Sequence, residues 1–261
     1  MPELPDLEVF AANLEKRFKN KILENIQVPV TRKLNVSEKE LQKALEGHKL
    51  QSVSREGKTI QLHFGGGGVL GLHLMLHGEL RLLGEEKELK YQVVSLRFEE
   101  EEGFALIDFQ KAATPTLNPV SSAVPDALSP EMSIDYLENL LSKKKAPVKS
   151  VLMDQKVIRG IGNTYADEIL WAAKISPLSI SRAIPKDKVK VLHKVIGEVL
   201  RQEIIQIRRL LPEELGGEIK EFLKIHGAGI LKSPTGKKIL VTEIGGRKTY
   251  YTEEQHLYKE V

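Results

Sequence analysis

The feature that most restricts how this chain folds is a switch in hydrophobic periodicity between its two halves. From residue 21 to residue 109, short segments such as "KILENIQVPV", "LQSVSREGKTIQLHF", "VLGLHLML", "ELRLLG", "YQVVSLRFEE" and "GFALIDF" alternate or run apolar over strand lengths, with "GGGG" and "EEEEG" as turns. A period of two broken by such turns predicts an antiparallel sheet or sandwich. The stretch "TPTLNPVSSAVPDALSPEMS", residues 114–133, is rich in Pro, Ser and Thr without a sustained period, and predicts a linker. Beyond it the apolar residues take helical spacing, predicting helices over 134–143, about 147–157, 163–173 and within 186–210, where Val189, Leu192, Val195, Val199 and Leu200 share a face. The last segment, "GKKILVTEIGGRKTYYTEE", predicts two strands around a Gly-Gly turn.

The chain therefore reads as α+β. An N-terminal antiparallel β-sandwich domain (1–117), carrying a long helix over 5–18 with Leu7, Phe10, Leu14 and Phe18 on its apolar stripe, is followed by a linker (118–132). A helical domain (133–226) and a terminal hairpin (227–261) complete it. At 261 residues and 41% hydrophobic content there is material for one large or two medium cores. No stretch approaches the ~18 consecutive apolar residues of a membrane span, and the first twenty residues are too charged for a signal peptide, so an intracellular, cytoplasmic location is expected. The absence of cysteine excludes disulfides, thiolate catalysis and cysteine-ligated zinc.

Charge is uneven. Residues 1–130 hold 16 Lys/Arg against 19 Asp/Glu, net −3, and residues 131–261 hold 23 against 17, net +6. A polyanion partner is thus sought in the C-terminal half, although a charge run also describes a solvated face. The most informative stretch there is "DQKVIRGIGNTYADEILWAA". One helix is expected to end near Val157, "GIG" to turn the backbone, and Asn163 to cap a second helix. The free N–H groups at such a start attract anions, and Lys149, Lys156 and Arg159 add charge nearby. By pattern alone, a capped helix pair with solvated lysines fits equally well. The opening "MPELPDLEVF" is similarly open, since Pro2 and Pro5 also suit a plain helix entry.

Six segments in order decide between these readings: "PELPDLE", "REGK" at 55–58, "HLMLHG" at 73–78, "DFQKAATP" at 108–115, "LMDQKVIRGIGNTYADEIL" at 152–170 and the terminal "GGRKTYY". Together they resemble the formamidopyrimidine-DNA glycosylase and endonuclease VIII family over nearly the whole chain. The resemblance implies a bifunctional DNA glycosylase and abasic-site lyase of base excision repair, acting on double-stranded DNA with oxidised or abasic sites, as a monomer and without a cofactor. It assigns the nucleophile to Pro2, freed by removal of Met1. A terminal α-amine titrates near ~8, against ~10.4 for lysine, so a useful fraction is unprotonated at neutral pH. As a secondary amine it attacks the sugar C1′, displaces the base and leaves an iminium cation that acidifies C2′ for strand-breaking eliminations.

By the same resemblance Glu3 is the proton shuttle, and Asp6 stands where many relatives have Glu, a position that a helix N-terminal acid also explains. Lys58 reaches the damaged nucleotide and its phosphate, while His73, Lys149, Asn163 and Arg247 grip phosphates. The second reading left open is a non-catalytic reader that binds damaged or abasic DNA through the same clamp.

Two departures from the family pattern stand out. The second intercalating loop of the formamidopyrimidine branch carries Arg and Phe, but this chain has Gln110 and Ala112 there, so the void left by an extruded base is expected to be filled by Met75, Leu76 and His77, with Leu76 as the wedge. The four zinc-binding cysteines of the family's finger correspond to Lys232, Thr235, Thr252 and Gln255, so a zincless β-hairpin finger held by packing, with Tyr250 and Tyr251 contributing, is expected. Between "GGEIKEF" and "IHGAG" there is little room for a lesion-covering loop.

Overall fold

The structure, a computed structural model, describes residues 1–84, 89–217 and 221–260. Two compact units emerge, Met1–Ser121 with Ile207–Glu218, and Ser122–Gln206 with Ile219–Val261. The expected helical domain and hairpin thus share one unit, and the chain after Gln206 returns to the first. There Leu215 is buried in the first core, and the Asn13 amide donates to the carbonyls of Leu211 (3.2 Å) and Glu214 (2.8 Å).

The first unit opens with helix α1 (Leu4–Phe18), whose Leu7, Phe10, Leu14 and Phe18 are buried as their spacing requires. Among the described residues, eight strands form two four-stranded antiparallel sheets. One runs β1 (Leu23–Gln27), β6 (Gln92–Phe98), β7 (Gly103–Ile107), β5 (Glu79–Leu83). The other runs β2 (Leu50–Glu56), β3 (Thr59–Phe64), β4 (Val69–His73), β8 (Thr114–Leu117). Their apolar faces share one core with α1, and Phe18 stacks on Phe98 with ring centroids 4.8 Å apart.

Two elements differ from expectation here. The Pro-, Ser- and Thr-rich stretch 114–133 is not irregular throughout, because its first residues, Thr114–Leu117, placed ahead of the linker at 118, form strand β8; its Pro115 lies opposite Leu72 at the sheet edge, where a missing N–H costs no ladder bond. A further helix, α2 (Glu38–Leu45), was not anticipated. Its start is written in a capping box, in which Ser37 Oγ accepts from Glu40 N and Glu40 Oε2 accepts from Ser37 N.

The second unit contains α3 (Ile134–Ser142), α4 (Val148–Met153), α5 (Asn163–Ala172), most of α6 (Lys186–Leu210), and the hairpin β9 (Leu240–Ile244) and β10 (Arg247–Tyr251). Helix α4 stops four residues before the expected 157. Asp154 leaves helical geometry, its carboxylate accepts Lys156 N at 3.0 Å, and its carbonyl accepts Val157 N and Ile158 N at 2.9 Å each, a turn that competes with the helix. Helix α5 is capped by Gly162, with Asn163 as its first residue. In the hairpin Ile244 pairs with Arg247 across Gly245 and Gly246, whose φ values of +57° and +73° meet the two positive angles of a two-residue turn. Among the described residues, no helix is long and apolar enough to cross a membrane.

Candidate active site

Helix α1 fixes the chain's first residues. Pro2 is buried, Glu3 is 3% exposed as the helix N-cap, and Pro5 sits in the first turn, where a missing N–H is harmless. The Glu3 backbone N–H donates to Asp6 Oδ2 at 2.8 Å, so Asp6 serves the helix start and holds Glu3 in place. Burying carboxylates here is favoured by the positive end of the helix.

Lys58 lies in the two-residue turn joining β2 to β3 and is half-buried. Arg55, whose side chain is only 6% exposed, bonds Glu8 Oε2 through Nε at 2.8 Å and the Gly57 carbonyl through Nη1 at 2.9 Å, tying the Lys58 turn to α1. Sequence reading passed over Arg55, although it heads the "REGK" segment. Across the ladder, Thr59 pairs with His73 at the end of β4. Burial, and then the nearby positive charge of Lys58, push the His73 imidazole below its ordinary range. Its Nδ1 accepts the Met75 N–H at 3.1 Å, which places the proton of the neutral ring on Nε2, as a donor suited to an anionic oxygen.

The loop after His73 is a tight, strained turn. Met75 has a φ of +58°, and a Cβ added at Gly78 would lie 2.1 Å from the Leu74 carbonyl oxygen. Gly78 N donates to that oxygen at 2.9 Å. Met75 is 38% and Leu76 55% exposed, and His77 is exposed, so none of the three is strand core. At the second loop, Gln110 is exposed and Ala112 half-buried.

In the second unit, Lys149 departs from expectation. It has no exposed surface: its ammonium lies 2.7 Å from Asp167 Oδ1, 2.8 Å from Thr249 Oγ1 and 3.3 Å from the Lys248 carbonyl. A charge so enclosed holds β10 against α4 and α5 and presents nothing to a phosphate. Asp167 completes the cluster, its Oδ2 accepting Tyr250 N at 3.0 Å and meeting His226 Nδ1 at 2.8 Å. Asn163 is half-buried and donates its amide to the Lys248 carbonyl at 3.1 Å, whereas Arg247 is exposed beside the hairpin turn. Arg159 donates Nε to the Val124 carbonyl at 2.7 Å, binding the segment before α3.

The finger does not fit zinc. Lys232 and Gln255 offer no thiolate or imidazole, Thr235 and Thr252 are hydroxyls, and no group of three or more His, Cys, Asp or Glu side chains among the described residues could hold a metal. A carboxylate stands at this place instead. Glu254 accepts from Thr235 Oγ1 (2.8 Å), Thr252 Oγ1 (3.1 Å), Trp171 Nε1 (3.2 Å), Lys174 Nζ (3.2 Å) and Ser233 Oγ (3.3 Å). These bonds, the Thr235 hydroxyl first among them, bring its carboxyl down to about 2. Gln255 receives Thr252 N and donates to the Ile175 carbonyl, so three of the four positions remain structural without metal. Tyr250 packs with Trp171, Ile225 and Ile239, while Tyr251 is only half-buried and lies outside that cluster.

Behind the finger, Glu168 accepts the N–H groups of Lys224, Ile225 and His226 at 2.9–3.2 Å. Glu203 on α6 is 3% exposed with Oε2 unbonded. Burial raises its carboxyl to about 7, against the pull of Lys224 and with the help of Glu168. Of "GGEIKEF", residues 218–220 lie outside the described residues.

Comparison with known proteins agrees with this geometry. Residues 1–114 match the formamidopyrimidine-DNA glycosylase N-terminal domain, and residues 124–209 the formamidopyrimidine-DNA glycosylase H2TH domain. Formamidopyrimidine-DNA glycosylases of Lactobacillus delbrueckii subsp. bulgaricus and Carboxydothermus hydrogenoformans are 27% and 29% identical, each match covering 96% of this chain and 97% and 98% of theirs. The crystal structure of Lactococcus lactis Fpg with DNA containing an abasic site superposes with a TM-score of 0.84 at 26% identity, over 96% of this chain and 98% of that one. The two matched domains, in this order and over this fold, make the chain a member of the formamidopyrimidine-DNA glycosylase family.

Proposed function

We propose that this protein is a DNA glycosylase with abasic-site lyase activity in base excision repair, acting on double-stranded DNA that contains oxidised or abasic sites. The observation that carries this reading is the buried N-terminal pair: Pro2 and Glu3 are enclosed at the start of α1, held there by the Asp6 cap rather than left as a loose end. While Met1 is attached, the Pro2 nitrogen is an amide with no lone pair to give; its removal makes a secondary amine. That amine forms a bond to C1′ as the glycosidic bond breaks and the base leaves with a proton. Glu3 moves protons among the amine, the sugar oxygen and the iminium, whose positive charge acidifies C2′ for elimination of the 3′ phosphate.

Lys58 and the neutral His73 hold the nucleotide's phosphate from the first unit, and Asn163 and Arg247 hold backbone phosphates from the second. Lys149 acts by positioning the finger. Met75, Leu76 and His77 enter the duplex. The protein works as a monomer in the cytoplasm.

Borohydride trapping on abasic-site DNA, with intact mass measured before and after, tests the reading. A covalent adduct from protein that has lost Met1, and none from protein that retains it, is expected. If no adduct forms while binding persists, the protein is a reader of damaged DNA and not an enzyme.

A further inference from the structure

We infer that Arg55 is a positioning residue for the reaction, holding Lys58 at a set distance from the start of α1; this rests on the glycosylase reading above. The chemistry needs Lys58 in register with two groups, His73 and the Pro2–Glu3 pair. The sheet supplies the first relation, since Thr59, next to Lys58, pairs with His73 across the ladder of β3 and β4. It does not supply the second, because Pro2 and Glu3 stand at the start of a helix.

Arg55 makes that link. It is the next-to-last residue of β2, and its guanidinium, on a side chain only 6% exposed, donates in two directions. Nε reaches Glu8 Oε2 on α1 at 2.8 Å, and Nη1 reaches the Gly57 carbonyl at 2.9 Å. Gly57 directly precedes Lys58 and has a φ of +58°, a left-handed angle that aims its carbonyl. Glu8 shares a face of α1 with Glu15, seven residues on, whose Oε2 accepts Val53 N at 2.9 Å. These two carboxylates pin α1 to β2 at points about 10 Å apart along the helix, and the one that Arg55 grips lies nearer Pro2. On the other side of the turn, Gln61 Nε2 donates to Glu56 Oε2 at 2.7 Å, which braces the turn to β3 and leaves its relation to α1 to Arg55.

A planar guanidinium serves a carboxylate and a carbonyl at once, whereas a lysine ammonium is a point charge on a flexible stem. Displacing a group at the reacting centre by about 1 Å costs on the order of a hundredfold in rate. Affinity for DNA is spread over many phosphate contacts and depends far less on any one of them. Arg55 therefore bears on the chemical step more than on binding.

The test measures single-turnover trapping on abasic-site DNA, and affinity for a non-cleavable abasic analogue, in Arg55→Lys, Arg55→Met, Lys58→Ala and the double variant Arg55→Lys with Lys58→Ala. Both Arg55 variants should trap about ten- to a hundredfold more slowly than wild type and bind within about threefold of it. The double variant should trap no more slowly than Lys58→Ala, because Arg55 acts through Lys58. Equal losses in rate and affinity, multiplied losses in the double variant, or a full rate in Arg55→Lys overturns the inference. Unfolding midpoints establish that the variants are folded. Amide exchange at residues 57–59 reads the hold on the turn without any need for activity: it should be faster in Arg55→Lys than in wild type, and unchanged exchange overturns the inference. Wild type that forms no adduct sinks the glycosylase reading and leaves the exchange comparison intact.

Discussion

Lys149 and Asp167 meet at 2.7 Å with neither side chain exposed, and the ammonium of Lys149 reaches past the pair to Thr249 on the hairpin. A buried pair contributes little net energy when intact, yet removing one partner strands the other's charge in a low-dielectric setting. Lys149→Ala is therefore expected to destabilise the protein by about 3–5 kcal/mol and to speed amide exchange at residues 247–251 more than in the sheets of the first unit. Unchanged exchange in the hairpin would show that the pair does not hold it.

Glu254 makes the finger acid-sensitive in a defined window. Its carboxyl titrates near 4.5 when unfolded and at about 2 when folded, so its stabilisation is complete above pH 4.5 and is lost as pH falls towards 2. Glu254→Gln should lower the unfolding midpoint by a few degrees at pH 7, and the gap from wild type should close as the pH approaches 2. Trp171, the chain's one tryptophan and a direct donor to Glu254, reports the change by fluorescence.

Glu203 acts in the opposite sense. Unfolded it ionises near 4.5, folded at about 7, so the penalty is absent below pH 4.5, grows as the pH rises and is complete above about 7. Glu203→Gln, of the same shape but uncharged, should stabilise the protein at pH 8 by on the order of 1–2 kcal/mol, allowing for partial solvation, and change little at pH 4.5. Denaturant unfolding at the two pH values measures both.

Arg247 stands exposed where the hairpin turns. If it neutralises one phosphate, Arg247→Ala should weaken binding alike on all sequences and reduce the slope of log affinity against log salt by about 1. A slope equal to that of wild type removes Arg247 from the interface.

The local features of this fold were legible in the sequence because short-range chemistry produces them. The stripe of α1, the full extent of α6 and the Gly245–Gly246 hairpin follow from side-chain period and from glycine's tolerance of positive φ. Helix α2 was legible too, through Ser37 and Glu40, but its eight residues gave too short a period to stand out. Other features depend on partners far away in the chain. Lys149 looks solvated until Asp167, 18 residues on, and Thr249, 100 residues on, are brought to it. Thr114–Leu117 looks like linker until β4 lies beside it. The "YADE" letters were visible, yet only the folded chain shows Asp167 and Glu168 dividing their work, one on the hairpin and one on the backbone at 224–226.

The carboxylate hub at Glu254 has a consequence for the conditions under which this finger keeps its shape. Fingers closed by metal fail when the ion is chelated or when their sulfur ligands are oxidised, and oxidising stress is also what creates oxidised bases. With hydroxyls, an indole and an ammonium gathered on one carboxylate, and no cysteine in the chain, this finger has no ion to lose and no thiol to oxidise. Its shape is thus uncoupled from the metal supply and thiol redox state of its surroundings.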